Sequence, residues 1–346
     1  MPEYLYRFRR THHLLVFNEL ESQEIFFAAP EQLNDPMEGF KDILWKGDKV
    51  VWKNLLKHYL LCLEHCFLLN IVGGDEHVVT SKDIPLFKIR KDFPTSKIEN
   101  IFEDKLREVF SGFGIGQLAE KLSERKKPIR RSELIFHLKL LHPIAINSIF
   151  KAYESHGFVL PSVDGDHLPK IPNNCHMIDL IHQVEEENPN IDDIAEKIYS
   201  TFHHTNSQIE LIAQYNDNIE GEKLERLFLY YEFPEAYVKR LDTLIFPEWY
   251  VACFMEECTN SSAWGNYGDN HKGVCLIFNT GTEQERRYID LECNNRKGKG
   301  GLVRHHFSPV TYQNVAPTID FFDSFGRLNG YQRREWFTGL LAIPCG

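Results

Sequence analysis

With 346 residues, 42% of them hydrophobic and 13% aromatic, the chain carries enough apolar material for one large core or two modest ones, which excludes wholesale disorder. A net charge of −11 argues against broad, sequence-independent binding to nucleic acid. The eight cysteines form no Cys-x-x-Cys pair and point to a reduced, cytoplasmic protein.

The start of the chain reads as a strand. In Tyr4–Arg9, YLYRFR, the residues Tyr4, Tyr6 and Phe8 alternate with Arg7 and Arg9, so rings and guanidinium groups face opposite ways. The following HHLLVFNELESQ predicts a short helix that buries Leu14, Leu15, Phe17 and Leu20. Ile25–Ala29 predicts a second strand, and Asn34-Asp35-Pro36 a turn in which a short polar side chain bonds the backbone. From about Lys49 to Thr243 the texture is helical. Val51, Leu55, Leu56, Tyr59, Leu60 and Leu63 trace one apolar stripe, and Ile98, Ile101, Phe102, Leu106 and Phe110 trace another. A third helix, from Leu134 to Ile149, is expected to break or bend at Pro143. The longest apolar runs, Tyr59–Leu63 and Cys66–Leu69, are separated by Glu64 and His65 and fall short of the roughly 20 residues a bilayer demands, so no membrane is expected. Strand character returns at Leu244–Phe254, Val274–Phe278, Arg287–Leu291, Leu302–Phe307 and Val310–Tyr312.

Strand-rich ends thus bracket a helical middle. The expected fold is α+β: a small mixed or split β-sheet core built from both ends, residues 1–48 and 244–346, with a large helical insertion over 49–243. The reason is burial, because two short strands and a helix make no stable sheet alone. Cys62-x3-Cys66 beside His65 has zinc-like spacing, but its apolar helical setting reads as buried free thiols, and no metal is expected.

Between Cys258 and Phe278 the chain reads CTNSSAWGNYGDNHKGVCLIF, a loop with large rings as well as glycines. A connector needs only the glycines; a ligand wall would need both. Three segments, Tyr6–Arg9, Ile25–Glu38 and Val251–Phe278, resemble in order and spacing the bacterial family known as domain of unknown function 2971. The matching pattern covers roughly the first 40 residues and the last hundred.

Leu5-Tyr6-Arg7 followed by a helix and a short strand also resembles the opening of ADP-ribosyltransferase folds. That resemblance implies an NAD-consuming effector, a bacterial toxin or anti-phage defence protein, that modifies a protein or nucleic-acid target. It further implies a helical insertion that recognises the target or restrains the activity, and a regulatory partner protein. Under it, Arg7 holds the pyrophosphate or ribose of NAD with Arg9 as substitute, and Tyr6 stands beside them. Trp264 and Tyr267 flank the nicotinamide, while Gly265, Gly268 and Gly273 let backbone approach the ligand. His271 is the candidate base or phosphate donor. The family's closing Trp and Glu-x-Glu-x-Arg strand is replaced here by Glu335-Trp336, so Glu335 is the candidate carboxylate, with Asp269 and Glu256 as substitutes. Two other classes stay open: a non-catalytic module that binds a nucleotide, nucleic acid or partner, and a metal-dependent nuclease using Asp35, Glu38 and Asp269.

Overall fold

The computed structural model describes residues 4–33, 42–89, 92–112, 115–159, 174–188, 194–220, 228–245, 249–294, 300–312, 318–324 and 328–337. The fold is α+β. In chain order its main elements are β1 (Tyr4–Arg9), α1 (Thr11–Val16), β2 (Asp42–Trp45), α2 (Lys49–Gly73), α3 (Ser96–Gly112), α4 (Ile115–Ser123) and β3 (Ile129–Arg130). Then come α5 (Arg131–Ser155), α6 (Asn174–Glu187), α7 (Ile194–Glu220), α8 (Phe233–Ile245) and α9 (Ser261–Asn266). The strands β4 (Val274–Asn279), β5 (Gly281–Glu283), β6 (Arg286–Asn294), β7 (Gly300–His306) and β8 (Thr318–Asp320) precede α10 (Gly330–Phe337).

These elements form two compact units, Met1–Phe40 with Glu248–Ala316, and Lys41–Pro247 with Pro317–Gly346. The boundaries differ from the expected 1–48 plus 244–346 around 49–243, because residues 317–346 join the helical unit. The cause is a parallel pairing of β2 with β8, Ile43 opposite Ile319. Aromatic packing reinforces it: Trp45 lies 5.6 Å from Phe321, and Trp52 lies 5.3 Å from Phe322. Trp336 is fully buried there, and its carbonyl accepts from Asn54 Nδ2 at 2.6 Å.

In the first unit β1 pairs antiparallel with β4, from Tyr4 opposite Asn279 to Arg9 opposite Val274. This pair does join the two ends of the chain. Of the expected mixed or split sheet core, the structure has the split form: three small sheets, β1-β4, β3-β2-β8 and the meander β5-β6-β7. Two expected strands are reduced to isolated bridges. Ile25–Ala29 contributes only Ala28, paired with Val251, and Leu244–Phe254 contributes Val251, while Met255 just beyond it bridges Tyr6. Leu244 and Ile245 instead finish α8, where Leu244 is buried. Val310–Tyr312 is exposed and has no ladder.

In the helical unit Asp48 caps α2, its carboxylate accepting from Val50 and Val51 N–H at 2.8 and 3.0 Å. The α2 stripe read from the sequence is buried, but so are Lys57, His58 and Glu64, which makes α2 a central helix packed nearly all round. Contrary to the sequence expectation, α2 is long and apolar enough to cross a membrane by length and composition. Two-thirds of its apolar window is nevertheless buried inside the unit, the pattern of a core helix. Cys62 and Cys66 are buried thiols; burial pushes Cys66 up to about 12 and Cys62 well above the usual thiol range. Pro143 lies inside α5, which continues through it rather than ending there.

Candidate functional site

The loop from Cys258 to Gly273 is tied chiefly to itself. Asn260 starts α9, with its Oδ1 accepting from Ala263 N at 3.0 Å. After one short helical stretch the chain doubles back. Gly268 N and His271 N both donate to the Trp264 carbonyl, at 3.1 and 3.2 Å, and Gly273 N donates to Gly268 O at 2.7 Å. Between these bonds Asp269, Asn270 and His271 take φ values of 52°, 53° and 66°, three consecutive left-handed residues. L-residues pay about 1–2 kcal/mol for each such conformation, less for Asn and Asp, so the bonds around the turn must hold it.

Trp264 fastens the loop to the first strand. Its indole N–H donates to Cys258 O at 2.7 Å, and its ring meets Phe8 edge-on with centroids 4.9 Å apart. The glycines serve the same closure. A Cβ on Gly273 would lie 2.4 Å from the Arg9 carbonyl oxygen, and one on Gly268 would lie 2.8 Å from the Trp264 ring. The room left by these two missing side chains is therefore filled by the protein itself. Gly273→Ala should cost about 1–3 kcal/mol, the range for forced overpacking, because its opponents are main-chain atoms that have nowhere to go. A denaturation curve followed by tryptophan emission checks this, and an unchanged midpoint would contradict the close approach.

Residues opposite each other in an antiparallel ladder share a face. Leu5, Arg7 and Arg9 therefore lie on one side with Phe278, Leu276 and Val274, while Tyr4, Tyr6 and Phe8 lie on the other with Asn279, Ile277 and Cys275. Trp264 covers the second side through Phe8. The structure thus brings the cationic strand and the aromatic loop together, but Arg7 and Trp264 stand on opposite faces of the ladder.

Arg7 is only 8% exposed; it donates to Phe26 O at 2.6 Å and sits 5.7 Å from the Phe254 ring centre. Burial, then the neighbouring Arg9 charge, brings its pKa down to about 10. Arg9 grips buried Glu19 with two hydrogen bonds, one of them from Nε at 2.9 Å. Both guanidinium groups are occupied by the fold, so the proposed pyrophosphate contact would require breaking one of these arrangements. Glu19, in the turn that follows α1 and ten residues from Arg9, is a partner the sequence reading does not anticipate.

The remaining candidates are scattered more widely. Tyr6 is half-buried, and Tyr267 is 42% exposed where it closes α9. His271 is exposed, with its ring directed toward Gly265. Asp269 is exposed in the strained turn, and Glu256 pairs with Arg287 at 3.2 Å. Glu335 falls in α10 of the helical unit; its side chain, like Asp35 and Glu38, lies outside the described residues. Among the described residues no group of three or more His, Cys, Asp or Glu is placed to hold a metal. Comparison of the chain with protein-family models, curated proteins and solved structures finds no match.

Proposed function

We propose that the ring-bearing face of the β1–β4 ladder binds a nucleotide, with NAD the leading candidate. The observation that carries this reading is the gathering of Tyr4, Tyr6, Phe8 and Ile277 on one face beside Trp264, with Tyr4 and Ile277 left 42% and 65% exposed. A flat base or nicotinamide gains about 1–3 kcal/mol from stacking on such a ring. Exposed His271 and Lys272, next to β4 in sequence, supply donors for phosphate oxygens. Arg7 and Arg9 have structural roles in this reading, and it assigns no catalytic carboxylate.

The test is calorimetric titration with NAD, ADP and AMP. Saturable binding tighter than about 1 mM is expected, weakened about tenfold by Tyr6→Leu, which keeps an apolar strand residue but removes the phenol ring. Arg7→Met should lower the melting temperature and leave affinity unchanged. Absence of binding by all three nucleotides sinks the reading. So does loss of affinity in a folded Arg7→Met variant with none in Tyr6→Leu.

A second reading is an ADP-ribosyltransferase-like enzyme that consumes NAD and modifies a macromolecular target. It is favoured by the direct pairing of the opening strand with the strand that follows the aromatic loop. Nicotinamide release from NAD, or labelling of a lysate, separates it from binding alone.

A further inference from the structure

On the β6–β7 hairpin the Cys293 sulfur lies 3.4 Å from His305 Nε2. Cys293 is a free, exposed thiol, and the His305 ring is half-buried, 6.4 Å from that of Phe27. Their closeness is not a consequence of register. Cys293 stands opposite Gly301, and His305 opposite Ile289. The two share a face, but flat extended strands would separate them by roughly 13 Å, at about 3.3 Å per residue. The hairpin must therefore curl over this face to bring sulfur and nitrogen into contact. The other face is tied across the strands, where Arg304 bonds Asp290 at 2.9 and 3.1 Å and stacks 3.8 Å over the Tyr288 ring.

We propose that Cys293 and His305 form a reactive thiol pair that exchanges with low-molecular-weight disulfides, such as oxidised glutathione. His305 Nε2 takes the thiol proton, and the Cys293 thiolate attacks one sulfur of the disulfide. A new S–S bond forms to Cys293 as the old S–S bond breaks. The departing thiolate recovers the proton from the imidazolium, so the disulfide is the oxidant and no further reagent is consumed. The product is a mixed disulfide on an exposed hairpin face, independent of the nucleotide reading.

The same unit holds two other exposed cysteines, Cys253 and Cys258, which serve as internal comparators. The native full chain is treated with dithionitrobenzoate and, separately, with oxidised glutathione, and the modified cysteine is located by peptide mass. Cys293 is expected to react about tenfold faster than either comparator and to take up glutathione first. His305→Gln should bring its rate to within about twofold of Cys258 while the circular dichroism spectrum stays unchanged. A wild-type Cys293 no faster than Cys258 overturns the proposal, whether or not the variant folds. An unchanged Cys293 rate in folded His305→Gln overturns it as well.

Discussion

Acidification from pH 7 to pH 5 is expected to strip stability from the helical unit, through two histidines buried in the neutral form. His58 Nδ1 lies 2.9 Å from Tyr237 OH, and its ring packs 4.5 Å from Trp336. His142 Nε2 donates to Leu229 O at 2.6 Å, which leaves Nδ1 to accept from Tyr59 OH at 2.7 Å. Burial lowers the first to about 3 and the second to about 4. Their depressed folded values set the sign: in the unfolded chain they protonate near pH 6.5, in the fold only much lower. The stabilisation is complete above pH 6.5 and falls as pH drops toward 4, on the order of 3 kcal/mol for each histidine over that window. Glu64, whose pKa is raised by burial, acts in the opposite direction, adding stability as pH falls through its folded value toward the unfolded value near 4.5, and so offsets part of the loss. Urea denaturation followed at the helical circular dichroism band should show the midpoint falling steeply between pH 7 and pH 5. His142→Gln can keep both hydrogen bonds and should flatten the slope by about one proton's worth. Equal wild-type midpoints at the two pH values would contradict the buried neutral rings.

Lys88→Ala is expected to cost about 3–5 kcal/mol at pH 7.5, the usual penalty for stripping one partner from a buried ion pair. Lys88 is 4% exposed, with Nζ 2.8 Å from His65 Nδ1 and 3.9 Å from Glu64 Oε2. Glu64 is fully buried, and its other oxygen accepts from Tyr153 OH. Burial moves the two members in opposite directions, Glu64 up and Lys88 down, so desolvation outweighs their mutual attraction. Removing the ammonium raises the Glu64 carboxyl further. A carboxyl with a raised folded pKa stabilises below its unfolded value near 4.5 and loses that contribution as pH rises through the folded value. The Lys88→Ala deficit should therefore be large at pH 7.5 and smaller at pH 5, and Glu64→Gln in the same chain should recover part of it. A deficit independent of pH would mean that Lys88 matters for packing rather than for charge.

Much of the local structure was legible because it depends on spacing. The two-residue alternation of Tyr4–Arg9 marks a strand with rings on one side and cations on the other, and that is how β1 is built. The apolar stripes mark α2, α3 and α5 for the same reason at helical period. Ile25–Ala29 and Leu244–Phe254 misled because β-branched and aromatic residues suit a strand only when a partner lies alongside. Their alignment is met at Ala28–Val251 and, just beyond, at Met255–Tyr6, and nowhere else among the described residues. For the candidate site, the opening strand and the aromatic loop were expected together and meet at Phe8 and Trp264, whereas the commitment of Arg7 to Phe26 and Arg9 to Glu19 was not legible.

The sequence by itself determined the α+β class, the helical middle and the side of β1 on which each residue points, since all three follow from near-neighbour periodicity. Only the tertiary structure decided that Trp264 packs against Phe8, opposite the guanidinium groups, and that β8 and α10 belong with the helices. These are contacts between segments some 250 or more positions apart, chosen by which surfaces bury each other best, and no local pattern carries that choice.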